Sequence, residues 1–359
     1  MRNIFSGKTN KAVNAQYVIQ ETATIREALV ALDGKTHDWQ TLFVVDDAER
    51  MVGTLTDGDI RRGFIHGAAL EDVISRVMHR NFKCIHEGQK DALLLKSYRE
   101  RQILFIPVLD EEDHILEIYN LAEYHNILPI DAVLMAGGKG ERLRPLTEKM
   151  PKPLLPVGGK PIIDHNVDRL ISYGIKHISI TVNYLKEQIE EHFKEARKNV
   201  LMHCIREPQF LGTIGSIKFV ECFYNDTILV MNSDLFTNID YENFYLYFLE
   251  QDADMSVAAV PYSVSIPYGI LNFEDNRNIK GLIEKPTYDY YANAGIYLIK
   301  KSALDLIPTN MFFNATDLIE ALIDHKKKVV CFPLNGIWID IGNIQEYKRA
   351  NEIVKQTLS

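Results

Sequence analysis

Residues 130–157 read IDAVLMAGGKGERLRPLTEKMPKPLLPV. The apolar run Ile130–Ala136 leads directly into Gly137, Gly138 and Gly140. Glycines after a buried strand let the backbone approach a phosphate closely, with N–H groups turned toward it. The rest of the segment interleaves cations with prolines, and prolines stiffen an irregular loop. We therefore predict a strand followed by a rigid loop that binds a polyphosphate.

Two standard phosphate-binding loops can be excluded for this segment. Glu141 stands where the G-x-x-x-x-G-K-[ST] pattern needs Lys, and Leu143 occupies the third glycine position of G-x-G-x-x-G. A solvated basic loop is the structural alternative, but a basic cluster in an acidic chain favours an anionic ligand. Its cations are Arg142, Arg144, Lys149 and Lys152.

The whole chain has an ordinary globular composition. It contains 359 residues, of which 46% are hydrophobic and 25% are charged, and this length suits two or three domains. The net charge of −9 gives no overall attraction to nucleic acid or to anionic membranes. We expect neither partner, so any phosphate site must be local.

Targeting and cysteine patterns favour a cytoplasmic protein with reduced thiols. The N-terminal stretch MRNIFSGKTNKA lacks the apolar region of a secretory signal, and no apolar run approaches the roughly 18 residues of a membrane span. None of the cysteines belongs to a C-x-x-C pair, so we expect no metal–thiolate site and no disulfide framework. The cysteines are Cys84, Cys204, Cys222 and Cys331.

Beyond the loop, short apolar runs alternate with amphipathic stretches. The runs include HISITVN (177–183) and TILVMNSD (227–234). This alternation is typical of an α/β fold with a Rossmann-like mixed, mostly parallel sheet and helices on both faces. Helices are predicted at 164–173, 186–197, 241–250 and 343–356.

The opening segment resembles the G-G-x-G-T-R-L-x-P-L-T-x-x-x-P-K-P-L-x-P motif of sugar nucleotidyltransferases. The resemblance covers about residues 130–345 and implies transfer of a nucleoside monophosphate from a nucleoside triphosphate to a sugar 1-phosphate, with release of pyrophosphate. Further segments match the family pattern in the expected order: EPQFLGTIGSI (207–217), MNSD (231–234), YGI (268–270), EKP (284–286), NAGIY (293–297) and WIDIG (338–342).

The same resemblance implies a role for each matching residue. Arg142 and Lys152 would be the catalytic cations, and Asp234 and Asp340 would be the metal ligands. Hard carboxylate oxygens suit Mg²⁺, and catalysis would rest on positioning and charge neutralisation. The nucleotide-binding positions would be Ala136, Gly137, Gly138, Gly140, Gly212 and Thr213, and the sugar-phosphate positions Gly269, Glu284, Lys285 and Asn293.

An internal repeat occupies the N-terminal region. Segment 41–60 aligns with 105–124 at an offset of 64 residues, and the same offset aligns Glu27 with Asp91 in a preceding helical stretch. The first copy contains VVDDAERMVGTLTDGDIRR (44–62), which resembles the core of a CBS (cystathionine-β-synthase-type) domain. We predict a tandem CBS pair in residues 1–126, with units at about 15–66 and 79–126.

The CBS resemblance implies a regulatory nucleotide, such as an adenine nucleotide, held by Thr56 and Asp59. The corresponding residues of the second copy are Asn120 and Glu123, so one half-site keeps the pattern and the other does not. A structural pair without a ligand is the alternative. Such pairs commonly associate, and we expect a homodimer or a higher homo-oligomer.

Residues 130–359 form the predicted nucleotidyltransferase domain. A CBS pair fused to it resembles the guanylyltransferases of legionaminic acid-type pathways, which implies GTP and glucosamine 1-phosphate as substrates and GDP-glucosamine as product. A mannose-1-phosphate guanylyltransferase, another nucleotide and sugar pairing, or a catalytically inactive nucleotide sensor remain alternatives. A glycosyltransferase is disfavoured because MNSD contains only one acid. No hexapeptide repeat is present, so we expect no acyltransferase domain.

Overall fold

The computed structural model describes residues 17–33, 40–88, 91–195, 197 and 200–358. The chain divides into two compact units, residues 1–126 and 127–359. Each unit has an apolar core of its own, with Leu42 and Leu55 in the first and Val133 and Val230 in the second. None of the described helices is long and apolar enough to cross a membrane.

The N-terminal unit contains two three-stranded sheets. In each sheet the first two strands are parallel and the last two are antiparallel. The elements are β1 (Val18–Gln20), α1 (Ile25–Asp33), β2 (Thr41–Val45), β3 (Met51–Thr56), α2 (Asp57–Ile65), β4 (Ile85–His86), α3 (Ala92–Glu100), β5 (Phe105–Leu109) and β6 (Ile115–Asn120).

The strand registers of the two sheets share an irregularity at the spacing of the sequence repeat. The register of β2 with β3 shifts between Val44 and Val45, and that of β5 with β6 shifts between Val108 and Leu109, which are 64 residues later. The helical part of the predicted alignment is wrong by three residues, because α1 begins at Ile25 and α3 at Ala92.

The C-terminal unit alternates strands and helices until α6 and then becomes richer in antiparallel strands. Its elements are β7 (Ile130–Met135), β8 (Pro156–Val157), β9 (Lys160–Pro161), α4 (Ile162–Ser172), β10 (His177–Val182), α5 (Lys186–His192), β11 (Leu201–Arg206), β12 (Thr227–Asn232), β13 (Leu235–Thr237), α6 (Tyr241–Glu250), β14 (Met255–Ser265), β15 (Ile270–Phe273), β16 (Ile279–Ile283), β17 (Thr287–Lys300), α7 (Ala315–Asp324), β18 (Val329–Pro333), β19 (Trp338–Asp340) and α8 (Ile344–Leu358).

A seven-stranded sheet forms the centre of this unit, in the order β11-β10-β7-β12-β17-β14-β18. Strand β7 pairs in parallel with β10 and β12, whereas β17 is antiparallel to β12 and β14. The predicted mixed, mostly parallel sheet is therefore confirmed. Because helices cover both faces of such a sheet, its central strands read as continuous apolar runs, and Val133 and Leu134 are fully buried.

The predicted helices are found, with one difference in length. Helix α6 has the predicted bounds, and its N-cap Asp240 accepts a hydrogen bond from the backbone N–H of Asn243 at 3.0 Å. Helix α5 was expected to reach residue 197 but ends at His192. Its C-cap Phe193 leaves helical geometry and packs its buried ring edge-on against His192.

The parallel strands gather the candidate site at one edge of the sheet. Strands β7, β10 and β12 run in the same direction, so their carboxyl ends lie side by side. The glycine loop follows β7, Asn183 follows β10, and Ser233 and Asp234 follow β12. Ligands of open α/β sheets bind in the crevice outside these strand ends.

Candidate active site

The carboxyl edge of the sheet contains a cleft made of two connected cavities, of about 510 and 170 Å³. The larger cavity is also lined by Lys139, Gly140, Glu141, Arg142, Asn183 and Gly342. The smaller one adds Met135, Ala136, Pro153, Glu207, Gly212, Thr213, Asn232 and Ser233. Both cavities are lined by Gly137, Gly138, Lys152, Phe210 and Asp234.

The glycines of the loop serve different purposes. Gly138 has open space where a Cβ atom would be, which leaves room for a ligand against its backbone. Gly140 has φ +62°, a left-handed conformation that favours glycine, and a Cβ there would lie 3.0 Å from Thr147 Cγ2 and 3.1 Å from Lys152 Cβ. The hydroxyl of Thr147 donates to the carbonyl oxygen of Gly140 at 2.8 Å and holds this turn closed.

Gly137 is required by a side chain rather than by a ligand. A Cβ atom at this position would lie 2.6 Å from Glu207 Oε1, so the carboxylate packs directly on the loop. Glu207 is 5% exposed, and among the described residues its Oε2 has no hydrogen-bond partner. Burial raises the pKa of this carboxyl group above the usual range, and this shift is opposed by hydrogen bonding from the Leu211 N–H and from the side chains of Ser216, Thr181 and Asn183. An unpaired carboxylate oxygen beside a cavity is costly unless a ligand donates to it.

Two short strands bring the predicted metal ligands together. Strand β13 pairs with β19, and Leu235 lies opposite Asp340, so Asp234 and Asp340 are neighbours. The backbone N–H of Ile341 also donates to the Asp234 carbonyl oxygen at 3.2 Å. Strand β19 is held in place because Trp338 Nε1 donates to the carbonyl oxygen of Ala294 at 2.9 Å.

Lys152 neutralises this carboxylate pair. Its Nζ donates to Asp234 Oδ2 and lies 3.9 Å from Asp340 Oδ1, and the lysine is 9% exposed. Burial, and then the negative charge of Asp234, raise the pKa of Asp340. The sequence predicted Lys152 as a catalytic cation, and in the structure its ammonium group contacts Asp234 and lies near Asp340.

The carboxylate pair fits a magnesium ion as well as a lysine. The described residues contain no cluster of three or more His, Cys, Asp or Glu side chains suited to a metal. Mg²⁺, however, usually takes one or two protein carboxylates and completes its shell with water and substrate phosphates. The Oδ1 atom of Asp234 is buried and has no hydrogen-bond partner among the described residues, so this oxygen is available to coordinate such an ion.

Arg142 is a second cation near this carboxylate pair. A Cβ atom on Gly342 would be 3.1 Å from Arg142 Nη2, so the guanidinium packs on the backbone that follows Asp340. Its positive charge lowers the pKa of Asp340 and partly opposes the burial described above. Arg142 and Lys152 both line the larger cavity and supply it with positive charge.

The predicted base-contacting residues line the smaller cavity. Gly212 has φ +80°, and a Cβ there would meet the Phe313 carbonyl oxygen at 2.6 Å. Thr213 donates its N–H to Asn314 Oδ1 at 3.2 Å and accepts from Ala315 N on its Oγ1 at 2.9 Å. The two residues thus lock the loop 207–217 onto the start of α7.

The predicted sugar-phosphate residues lie outside both cavities. Gly269 and Glu284 are adjacent, because a Cβ on the glycine would lie 2.9 Å from Glu284 Oε2. Lys285 is exposed and has φ +46°, and Asn293 Oδ1 accepts from Gly295 N at 2.9 Å. Only Gly269 and Glu284 are thus shown to be neighbours. Sugar-phosphate binding by the four residues stays a prediction.

The predicted nucleotide residues of the N-terminal unit bond to each other. Thr56 is the N-cap of α2 and forms a capping box with Asp59, in which the Thr56 N–H donates to Asp59 Oδ2 at 2.9 Å. In the second copy Asn120 Nδ2 donates to Glu123 Oε1 at 2.9 Å. Both pairs are explained by local structure, and nucleotide binding there stays a prediction.

Several residues that line the cleft were not among the predicted site residues. Four of them are Lys139, Asn183, Glu207 and Phe210. Glu207 and Phe210 belong to the segment EPQFLGTIGSI, but their proximity to the glycine loop depends on the pairing of β10 with β7 and β11. Asn183 directly follows β10, and this position after a parallel strand was the sequence signal that could have identified it.

Comparison with known proteins agrees with this geometry. Residues 131–357 match the family model described as nucleotidyl transferase, and residues 13–66 match that of the CBS domain. The bifunctional protein GlmU of Methanocaldococcus jannaschii is 33% identical over 230 residues, which cover 62% of this chain and 54% of that protein. The mannose-1-phosphate guanyltransferase of Yarrowia lipolytica is 30% identical over 240 residues, which cover 63% and 64%.

A solved structure shares the fold. It is a Bacillus anthracis protein, provisionally described as a glucose-1-phosphate thymidylyltransferase and crystallised in complex with a sucrose. It is 26% identical, with a TM-score of 0.51, over 63% of this chain and 95% of that one. The chain spans little more than half the length of GlmU and under two thirds of the length of the guanyltransferase.

Proposed function

Because this chain belongs to the nucleotidyl transferase family, we propose that it transfers GMP from GTP to a sugar 1-phosphate. Glucosamine 1-phosphate is the proposed acceptor, and GDP-glucosamine and pyrophosphate are the products. The observation that carries the reaction type is the cluster of Lys152, Asp234 and Asp340 beside an open glycine loop in a cleft of about 510 Å³.

The proposed reaction needs no strong general base. A phosphate oxygen of the sugar 1-phosphate forms a bond to the α-phosphorus of GTP, and the bond from that phosphorus to the pyrophosphate oxygen breaks. The attacking phosphate is already largely dianionic at neutral pH, because its second pKa is about 6. The protein has to align the reactants and stabilise negative charge.

The residues of the larger cavity are suited to this task. The backbone of Gly138 is open to a ligand, and Arg142 and Lys152 supply positive charge for the phosphates. Asp234 and Asp340 would hold Mg²⁺, which would supply charge neutralisation at the phosphate oxygens. Mg²⁺ at this position would balance the two carboxylates, and the Lys152 ammonium group would then be available to a phosphate.

Glu207 supports guanine as the base. Guanine presents two adjacent N–H donors, at N1 and N2, and a carboxylate can accept from both. Glu207 lines the smaller cavity next to Gly212 and Thr213, and its Oε2 lacks a partner among the described residues. A uracil or cytosine ring does not offer this pair of donors, so a buried carboxylate there would remain incompletely paired.

The N-terminal unit supports a regulated enzyme of a dedicated pathway. A CBS domain precedes the transferase region, as in the guanylyltransferases of legionaminic acid-type synthesis that the sequence resembles. We propose that this unit binds a regulatory nucleotide at Thr56 and Asp59, and that the enzyme acts as a homodimer or higher homo-oligomer. A mannose-1-phosphate guanylyltransferase is the second candidate, supported by the guanyltransferase relative.

A panel of substrates tests the proposed function. Pyrophosphate release should be measured for ATP, CTP, GTP and UTP, each with glucosamine, N-acetylglucosamine, mannose and glucose 1-phosphates. We expect the highest kcat/KM for GTP with glucosamine 1-phosphate. A preference for mannose 1-phosphate would select the second candidate, and a pyrimidine preference would contradict the guanine assignment. No pyrophosphate release with any pair would favour an inactive nucleotide sensor.

A change of Glu207 to Gln should weaken recognition of guanine. We expect kcat/KM for GTP to fall about 10- to 100-fold, since hydrogen bonds to charged groups contribute about 1.5–3 kcal/mol. Because burial raises the pKa of Glu207, the wild-type carboxylate is protonated at a higher pH than an ordinary Glu. The KM for GTP should therefore rise on acidification in the wild type, and this component should be lost in the variant.

The matched control is Glu250→Gln, which alters an exposed residue at the end of α6. It should leave both the KM for GTP and its pH dependence unchanged. The phosphates of GTP also change protonation on acidification, but this change is the same for the wild type and both variants. Only the difference between their KM profiles against pH therefore reports on Glu207. Identical pH profiles for wild type and Glu207→Gln would show that this carboxylate does not contact the base.

A further inference from the structure

An aromatic pair at the rim of the cleft has no role in the chemistry described so far. Phe210 is 52% exposed and Phe312 is 57% exposed, and their ring centroids are 5.9 Å apart at an interplanar angle of 61°. Met311 beside them is also largely exposed. Large apolar side chains grouped at the mouth of a cavity indicate a ligand that covers them.

Phe210 is placed between the two ends of the cleft. It is one of the residues that line both cavities; Arg142 and Lys139 line the larger one, and Glu207 and Gly212 line the smaller one. A ligand whose phosphates lie on the glycine loop and whose base reaches Glu207 would therefore occupy space that this ring lines. A planar base that offers its edge to Glu207 can offer a face to Phe210.

The backbone that carries the two rings is rigid. The N–H groups of Ile214 and Gly215 both donate to the Phe313 carbonyl oxygen, at 3.2 and 3.1 Å, and the Phe313 N–H donates to the Leu211 carbonyl oxygen at 3.0 Å. A Cβ on Gly215 would lie 2.8 Å from the Met311 carbonyl oxygen. These hydrogen bonds tie the two loops together and hold Phe312 beside Phe210.

We propose that Phe210 stacks on the purine ring of the bound nucleoside triphosphate and that Phe312 is a positioning residue that supports Phe210 from behind. The proposal rests on the proposed function, because it takes the occupant of the cleft to be a nucleoside triphosphate. Stacking on an aromatic side chain tolerates any base and grows with ring area. It complements the edge recognition by Glu207, which selects the base.

Direct binding measurements on the full-length protein separate stacking from phosphate recognition. Calorimetry should compare GTP, UTP and inorganic tripolyphosphate, all in the presence of Mg²⁺. For Phe210→Leu we expect the Kd of GTP to rise about 5- to 100-fold, because base–aromatic stacking contributes about 1–3 kcal/mol. The Kd of UTP should rise less, and the Kd of tripolyphosphate, which has no base, should not change.

Phe312→Leu should show that this residue acts through Phe210. We expect a smaller rise in the Kd of GTP, about 2- to 10-fold, and a double variant no weaker than Phe210→Leu alone, because residues that act together are not additive. Phe210→Trp keeps an aromatic face and should bind GTP at least as tightly as the wild type. Phe273→Leu alters an equally exposed phenylalanine outside the cleft and should change nothing.

Three results would overturn the proposal. The first is an unchanged Kd of GTP in Phe210→Leu. The second is an equal loss for tripolyphosphate, which would indicate that the substitution deforms the glycine loop. The third is a normal Kd of GTP together with a raised KM for the sugar 1-phosphate, which would assign the rings to the sugar. Failure of the proposed function would look different, because GTP would bind normally without any pyrophosphate release.

Discussion

Replacing Asp234 with Asn should lower kcat about 100- to 1,000-fold or more while the fold survives. The expected loss is of the size seen when a single charge-stabilising group is removed from an active site. The Asn oxygen can still accept a hydrogen bond from Lys152, so the variant should fold. What it loses is the negative charge that would hold Mg²⁺ beside Asp340.

Pyrophosphate release at saturating GTP and sugar 1-phosphate measures this effect, and circular dichroism verifies the fold. A Mg²⁺ titration should show a raised half-saturating concentration of the ion. Asp305→Asn, which alters an exposed carboxylate outside both cavities, should behave as the wild type. Full activity of the Asp234 variant would refute the metal assignment.

Replacing Lys152 with Met should also lower kcat about 100- to 1,000-fold, because it removes a cation from the reacting phosphates. A second expected effect, on stability, distinguishes Lys152 from a residue that only binds phosphate. Without Mg²⁺, Asp234 and Asp340 lose the ammonium group that lies between them. Breaking a buried ion pair costs about 3–5 kcal/mol, and the half-exposed Asp340 reduces this to about 1–3 kcal/mol.

Thermal unfolding with and without Mg²⁺ measures the second effect. The Tm of Lys152→Met should fall by several degrees in the absence of the ion, and Mg²⁺ should restore most of the loss. Adding Asp234→Asn to this variant should raise the Tm again, because it removes one of the uncompensated charges. Lys280→Met, in the exposed strand β16, is the matched control. An unchanged Tm would mean that the carboxylates do not depend on Lys152.

The sequence predicted the fold of the C-terminal unit well, for a physical reason. Its strands are buried on both faces, so they read as continuous apolar runs, and α6 has an acidic N-cap at Asp240 that marks its start. Helix α5 was overestimated because its amphipathic pattern continues past His192, whereas Phe193 turns into the core. Burial of a single ring competes with helix propagation, and a local pattern does not show which one wins.

The candidate site was predictable where residues follow strand ends and less so where they meet across the fold. The pairing of Asp234 with Asp340 depends on the antiparallel contact of β13 with β19, over 100 residues of sequence. The packing of Glu207 on Gly137 depends on the order of three parallel strands. The sequence treats Gly137 as a phosphate-binding glycine, and only the structure reveals the carboxylate beside it.

This contact between Gly137 and Glu207 constrains how the enzyme could acquire a new base preference. A Cβ atom at position 137 and the carboxylate of Glu207 would occupy the same space, so residues 137 and 207 cannot change independently. A larger residue at 137 would be tolerated only after Glu207 has been shortened, and shortening Glu207 would remove the carboxylate that we propose selects the base. Evolution toward another nucleotide would therefore begin at position 207, and a glycine at 137 preserves that route.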